Sequence, residues 1–262
     1  MELKSSEITS QKYHDIFDYK LTNEEAFKWQ YKQSLPSVEG KNYKETTSGV
    51  KNKSRLRREK YSQKKLIIAR KAANLIAKIP TVKFVGITGA LAMNNAGRNS
   101  DIDLMIITKN GCLWTTRLIS YLLTWLFGFK TRRPKNRLEK NRLCLNMWLD
   151  ESDLVWDKKD RNIYTAHEVA QVVSLVNIDT TYEKFLYLNR WILNFWPNAI
   201  RIRNLKIKNS TEQVNFIEYI AFKLQYFYMK NKITREVVTP TRAIFHPNDW
   251  GKIAMEKLNN LN

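Results

Sequence analysis

Asp101-Ile102-Asp103 is the segment whose residue types and spacing could do chemistry. On a strand, side chains alternate, so aspartates at i and i+2 face the same way. Two carboxylates that close resist ionising together, and a cation between them keeps both anionic. Magnesium favours carboxylate and phosphate oxygens, which makes a nucleoside triphosphate the expected third party. One ion or a pair of ions there would activate an attacking hydroxyl and stabilise the departing pyrophosphate. Asp101 and Asp103 are therefore the expected metal ligands.

Upstream lies Thr88-Gly89-Ala90. A glycine in that turn lets the backbone approach a phosphate, and the N–H groups that open the following helix would bind it. Glycine turn, helix start and Asp-x-Asp on the next strand form one phosphate-and-metal unit. Thr88, Gly89, Ala90 and Ser100 are its expected nucleotide contacts.

These residues need a sheet to position them. Val82, Phe84, Val85 and Ile87 form a short strand-type run closed by Thr88-Gly89. Ile102 to Thr108 is continuously apolar after Asp103, as a strand buried on both faces should be. A helix over Trp114 to Phe127, a basic loop over Lys130 to Arg142 and a third strand over Leu143 to Leu149 follow. Before them, a helix with one basic face starts near Lys51, carries nine basic residues against the single acid Glu59 up to Arg70, and stops at Pro80. Beyond about residue 160 the pattern is mostly helical, with helices over Thr165 to Ser174, Thr181 to Phe195, Glu212 to Asn231 and a short one after Pro247. The fold class is α+β: a small mixed sheet carrying the site and a helical C-terminal half.

At the N-terminus, residues 7 to 17 and 22 to 33 read as two amphipathic helices, with Thr22 and Glu25 forming a capping box. They make a helix-turn-helix candidate, and polar Pro36 to Ser54 is a linker or a weak wing. The expected divisions are 1–50 for this segment, 51–160 for the catalytic core and 161–262 for the helical domain.

The segment from Gly86 to Ile107 resembles the signature of the polymerase-beta-type nucleotidyltransferase superfamily, in which Gly-Ser is followed about ten residues later by Asp-x-Asp or Asp-x-Glu. Gly89-Ala90 falls at Gly-Ser and Asp101-Ile102-Asp103 at the metal pair. The likeness covers about residues 82 to 151. Ala90 departs from it: an alanine cannot supply the serine hydroxyl, though the backbone N–H contacts survive. The resemblance implies a third acid on a later strand, for which Asp150 or Glu151 is the candidate and Asn146 the neutral alternative. The wider chain, including Arg161 to Glu168 and Trp196-Pro197-Asn198, is similar to bacterial predicted nucleotidyltransferases in which a winged-helix-like module precedes the core. Together these imply transfer of a nucleoside monophosphate from a nucleoside triphosphate, ATP among them, to a hydroxyl of an RNA end, a protein or a small molecule.

Lys and Arg outnumber Asp and Glu by 45 to 25, giving a formal charge of +20. That excess draws polyanions and favours RNA among the acceptors. The basic helix and the loop Lys130 to Arg142 could hold a nucleic-acid backbone. The second reading is accordingly a nucleic-acid-binding protein on a degenerate nucleotidyltransferase fold. Cys112 and Cys144 form no zinc-type cluster and no disulfide framework. His167 reads as a packing residue before a catalytic one. The aromatic residues from Phe216 to Tyr228 read as one buried helical face. No stretch matches a signal peptide or a membrane span, so a cytoplasmic protein without membrane insertion is expected. Leu113 to Phe129 reads as a buried helix, with peripheral membrane attachment through it the third-ranked reading.

Overall fold

A computed structural model describes residues 10–32, 53–132, 139–205, 215–245 and 250–260. The stretch expected to form a wing falls largely outside them, as does the middle of the basic loop.

The described chain builds a six-stranded mixed sheet flanked on both faces by helices. Helices α1 (Ser10–Asp15) and α2 (Asn23–Lys28) come first, then the long α3 (Lys53–Ile76). Strand β1 (Val82–Ile87) leads through the single turn α4 (Gly89–Ala92) to β2 (Ile102–Thr108). Helix α5 (Leu113–Leu126) carries the chain over to β3 (Leu143–Asp150), which runs parallel to β2. A parallel pair cannot be closed by a hairpin, so a crossover helix is required there.

The strands expected at 82–87, 102–108 and 143–149 all form, and the two central ones are buried on both faces as their unbroken apolar runs require. The region beyond residue 160 departs from expectation. Helix α6 spans Ile163–Ala170, and the tail of the helix expected to Ser174 is instead part of strand β4 (Val173–Asn177), antiparallel to β1. Val173, Leu175 and Val176 favour a strand through their branched or apolar side chains, and pairing with an open sheet edge outweighs the weak local helical pattern. Helices α7 (Thr181–Leu188) and α8 (Phe216–Met229) follow. Strands β5 (Val237–Val238) and β6 (Arg242–Ile244) extend the far edge beside β3, and α9 (Trp250–Asn260) ends the described chain. The order across the sheet is β4-β1-β2-β3-β6-β5, so the sheet crosses the division expected at residue 160.

Two cores result. On one face, Phe84, Met105, Ile107, Met147 and Leu149 pack with Ile163, Ala166 and Val169 of α6 and with Phe185 and Trp196. On the other, Val85, Ile87, Leu104, Ile106, Leu145 and Trp148 pack with α3, with Trp114 of α5 and with Ala221 of α8.

The N-terminal helix pair forms, including the predicted capping box between Thr22 and Glu25. It does not stand apart: Tyr13 and Trp29 are buried in the α6 core against Trp196 and His167. Arg55 of α3 clamps it with a 2.6 Å bond to Glu25, which in turn accepts from Tyr19 at 2.6 Å. Burial raises the Glu25 carboxyl, but the bonds from Arg55, Thr22 and Tyr19 prevail and hold it down at about 2.

Candidate metal centre

Asp101 and Asp103 meet at the start of β2, where the strand leaves the loop after α4. One ligand atom from each, together with the thiol of Cys144 on β3, lies within 4.8 Å of the others. This is the geometry the i, i+2 spacing calls for, with Asp103 directly paired to Cys144 across the parallel ladder.

Gly89 makes room for the pair. Its backbone is left-handed, and a Cβ there would stand 2.9 Å from Oδ2 of Asp103. The backbone N–H of Thr88 also donates to the Asp103 carbonyl at 3.2 Å. The turn, expected to approach a phosphate, seats the Asp103 carboxylate. The expected helix start is slight: α4 is one four-residue turn, Thr88 makes no side-chain cap, and the Ala90 carbonyl accepts from Asn95 at 2.8 Å. So short a helix has little macrodipole to offer a phosphate.

Ser100 serves the loop. Its hydroxyl bonds back to the Gly97 carbonyl at 3.1 Å, and its own carbonyl accepts from the buried ammonium of Lys65 at 2.7 Å. Lys65 also donates to Asn141 Oδ1 at 2.8 Å, tying α3 to the approach of both β2 and β3. This lysine belongs to the basic stretch expected to face a nucleic acid, as do Arg55 and Arg58, which bond the N-terminal helices. Lys53, Arg57, Lys60, Lys64 and Arg70 remain exposed.

Burial and the charge of Asp101 push the Asp103 carboxyl up to about 7. Arg132 answers the negative charge with a bond to Asp101 Oδ2 at 3.1 Å and an ion pair to Glu139 at 2.7 Å. The Cys144 thiol is pushed well up by burial and by the two aspartates, and it donates to Asp103.

The acid expected on β3 is elsewhere. A bulge breaks the β2–β3 register: Asp103 pairs with Cys144 and Met105 with Met147, so Leu145 and Asn146 on β3 face Leu104 alone on β2. Alternation reverses there. Asn146 stays on the Asp103 side, donating from Nδ2 to Asp103 Oδ1 at 2.8 Å, while Trp148 joins the opposite core. Asp150 follows Trp148 to that face, opposite Thr108, about 20 Å along the strand from Cys144 at strand rise. There it accepts from Gly111 at 2.7 Å and from Ser152 at 2.7 and 2.9 Å, fastening the loop before α5. Glu151 sits beside it, its N–H on the Thr108 carbonyl at 3.0 Å. Neither joins Asp101 and Asp103; the neutral alternative, Asn146, does.

An acid on α6 feels the Asp103 charge. Glu168 on α6 is pushed up to about 8 by burial and by the Asp103 charge, with Gln171 donating to it. Tyr164, one turn earlier, is raised by burial and by the charges of Glu168 and Asp103. The i, i+4 spacing of Tyr164 and Glu168 on a helix was the signal that could have found them. His167 turns the other way, its Nε2 3.1 Å from that of His14 and its ring 4.1 Å from that of Trp29, in a packing role.

The donor set suits magnesium. Asp101 and Asp103 offer oxygens, and Asn146 Oδ1 is buried with no hydrogen-bond partner among the described residues. Cys144, held as a thiol, supports Asp103 by its hydrogen bond and is a poor ligand for a hard cation.

No protein-family model matches this chain, and no curated protein matches it.

Proposed function

We propose that the chain is a metal-dependent nucleotidyltransferase that moves a nucleoside monophosphate from a nucleoside triphosphate to a hydroxyl of an acceptor. The observation that carries this reading is the seating of Asp103 against the left-handed Gly89, with Asp101 beside it. The turn thus holds the Asp103 carboxylate beside that of Asp101, two like charges that a cation between them would reconcile.

Asp101 and Asp103 would hold magnesium, one ion or a pair, with Asn146 orienting Asp103. The metal would supply charge neutralisation at the triphosphate. Arg132 can exchange its bond to Asp101 for one to a phosphate oxygen. The acceptor oxygen forms its bond to the α-phosphorus as the bond to pyrophosphate breaks and its proton leaves to solvent; Glu168, held up at about 8, is protonated at neutral pH and would offer a hydrogen bond rather than take that proton. The exposed cations of α3 favour a polyanionic acceptor such as RNA.

Transfer of label from each α-labelled nucleoside triphosphate in magnesium, with bulk RNA or cell extract as acceptor, tests the proposal. Label should reach an acceptor with the intact protein and not with Asp101→Ala/Asp103→Ala. If no triphosphate is consumed and both proteins bind nucleic acid equally in a salt-dependent way, the nucleic-acid-binding reading replaces this one.

A further inference from the structure

Helices α5 and α8 pack side by side with their polar faces turned in and their apolar faces turned out. The inward side is spoken for. Glu218 accepts from the Trp114 N–H, from the Thr115 N–H at 3.0 Å and from the Thr115 hydroxyl at 2.7 Å. Gln225 donates to the Trp114 carbonyl at 2.8 Å and accepts from Arg117 at 2.5 Å, and Thr116 bonds Thr81 at 2.5 Å. Thr116, Ser120 and Thr124 of α5 and Glu218 and Gln225 of α8 are all buried.

These ties leave Leu118, Leu122, Trp125 and Phe127 exposed on one side and Phe216, Leu224 and Phe227 on the other, with Trp125 70%, Phe216 74% and Phe227 70% accessible. Both were expected to be buried. The inversion follows from the hydrogen bonds: turning either apolar face inward would strip the buried end of α5 of its acceptors. An apolar face this continuous calls for a cover.

Its charges say which. The one acid in the two helices, Glu218, is buried, and Arg117 is half-buried with its guanidinium on Gln225. The cations that reach solvent on and beside the face are Lys223, Lys230 and Lys130. Lys223 lies over the Tyr219 ring at 5.3 Å and Lys230 over Phe227 at 4.5 Å. The charge this face shows to solvent is positive, which complements an anionic partner. Apolar and aromatic side chains fringed by lysines match the acyl boundary and headgroups of an anionic bilayer. Among the described residues no helix is long and apolar enough to cross a membrane, so the pair would lie in the interface plane.

We propose that α5 and α8 form a docking surface for anionic lipid bilayers. The surface belongs to the layer opposite α6, which packs on the other face of the sheet, so docking leaves the α6 side of the sheet free.

Co-sedimentation of the full chain with phosphatidylcholine vesicles, with and without phosphatidylglycerol, tests this, with light scattering on the free protein. The chain should be monomeric and pellet with the phosphatidylglycerol vesicles. Lys223→Glu/Lys230→Glu should weaken that binding by about tenfold or more, at roughly 1 kcal/mol per lysine. Leu122→Glu/Leu224→Glu should abolish it while leaving the thermal melt and magnesium-dependent nucleotide binding in place. Three results would each overturn the proposal: no pelleting, pelleting indifferent to phosphatidylglycerol, or a dimer that Leu122→Glu/Leu224→Glu splits with no vesicle binding. The last would assign the face to a second copy.

Discussion

Gly89 and Asp103 share one space: where a side chain on Gly89 would begin, 2.9 Å away, stands Oδ2 of Asp103. Gly89→Ala must therefore strain a left-handed backbone, at about 1 kcal/mol, and displace the carboxylate as well. We expect nucleotide transfer to fall about 100-fold, the scale of a 1 Å misplacement, with weaker magnesium binding by calorimetry. Gly97→Ala is the control, since a Cβ there meets nothing within 4 Å. Equal activity of the two variants would show that the close approach is incidental.

Lys65 anchors the loop that delivers Asp101. Lys65→Met keeps most of the side-chain volume but leaves Asn141 Oδ1 without its donor and the Ser100 carbonyl with the Asn141 N–H alone. The expected loss is about 1–3 kcal/mol in urea unfolding. Exposed Lys64→Met, a turn-neighbour on the same helix, should change stability by less than about 0.5 kcal/mol.

His14 and His167 predict an acid-sensitive fold. His14 Nδ1 faces the Ser10 carbonyl at 2.7 Å and so carries the proton, which leaves Nε2 to accept from His167 Nε2 at 3.1 Å. Burial lowers His14 to about 4, against smaller opposing effects from the Ser10 carbonyl, Glu25 and Asp15. Burial, His14 and Lys28 lower His167 well below its usual range. Tyr13, Trp29 and Trp196 close the pair off. Both rings are neutral in the folded protein and would protonate near pH 6.5 when unfolded. The unfolded chain thus binds more protons below that pH, so stability is full above about 6.5 and is lost as the pH falls toward about 4. The slope is about 1.4 kcal/mol per pH unit for each histidine. In urea titrations near pH 6 and about pH 5, His14→Gln should remove roughly half of this pair's contribution; an unchanged slope would place the acid sensitivity elsewhere.

Glu218 holds α5 by its first turn. Glu218→Ala leaves a buried N–H on Trp114 and a part-buried one on Thr115 without their acceptor. Thermal unfolding should show a loss of about 1–2 kcal/mol, and hydrogen exchange at those two amides should quicken.

What was legible in the sequence was local. Asp-x-Asp, the glycine turn, three strands and the Thr22–Glu25 capping box each lie within a few residues, and backbone periodicity or hydrogen bonding sets their geometry. What was not legible came from distant pairings. The bulge that sends Asp150 to the wrong face depends on how β3 sits against β2, which no pattern within β3 declares. Glu168 reaches the site only because α6 crosses that face of the sheet. The Val173–Asn177 strand exists because β1 offers an edge. Both α5 and α8 were legible as helices, and α8 as carrying an aromatic face, but neither was expected to turn its apolar side to solvent. Their direction depended on Glu218 and Gln225, whose partners are more than a hundred residues away in sequence.

The strand order also sets a timetable. On the ribosome β1, β2 and β3 emerge first, but the free side of β1 is completed by residues 173–177 and that of β3 by residues 242–244. Until those segments appear, the nascent sheet carries two open borders able to pair with another chain. The six-stranded sheet around the aspartate pair is therefore complete only once residues 242–244 have been made, and a ribosome stalled before residue 242 would release a sheet still open along β3.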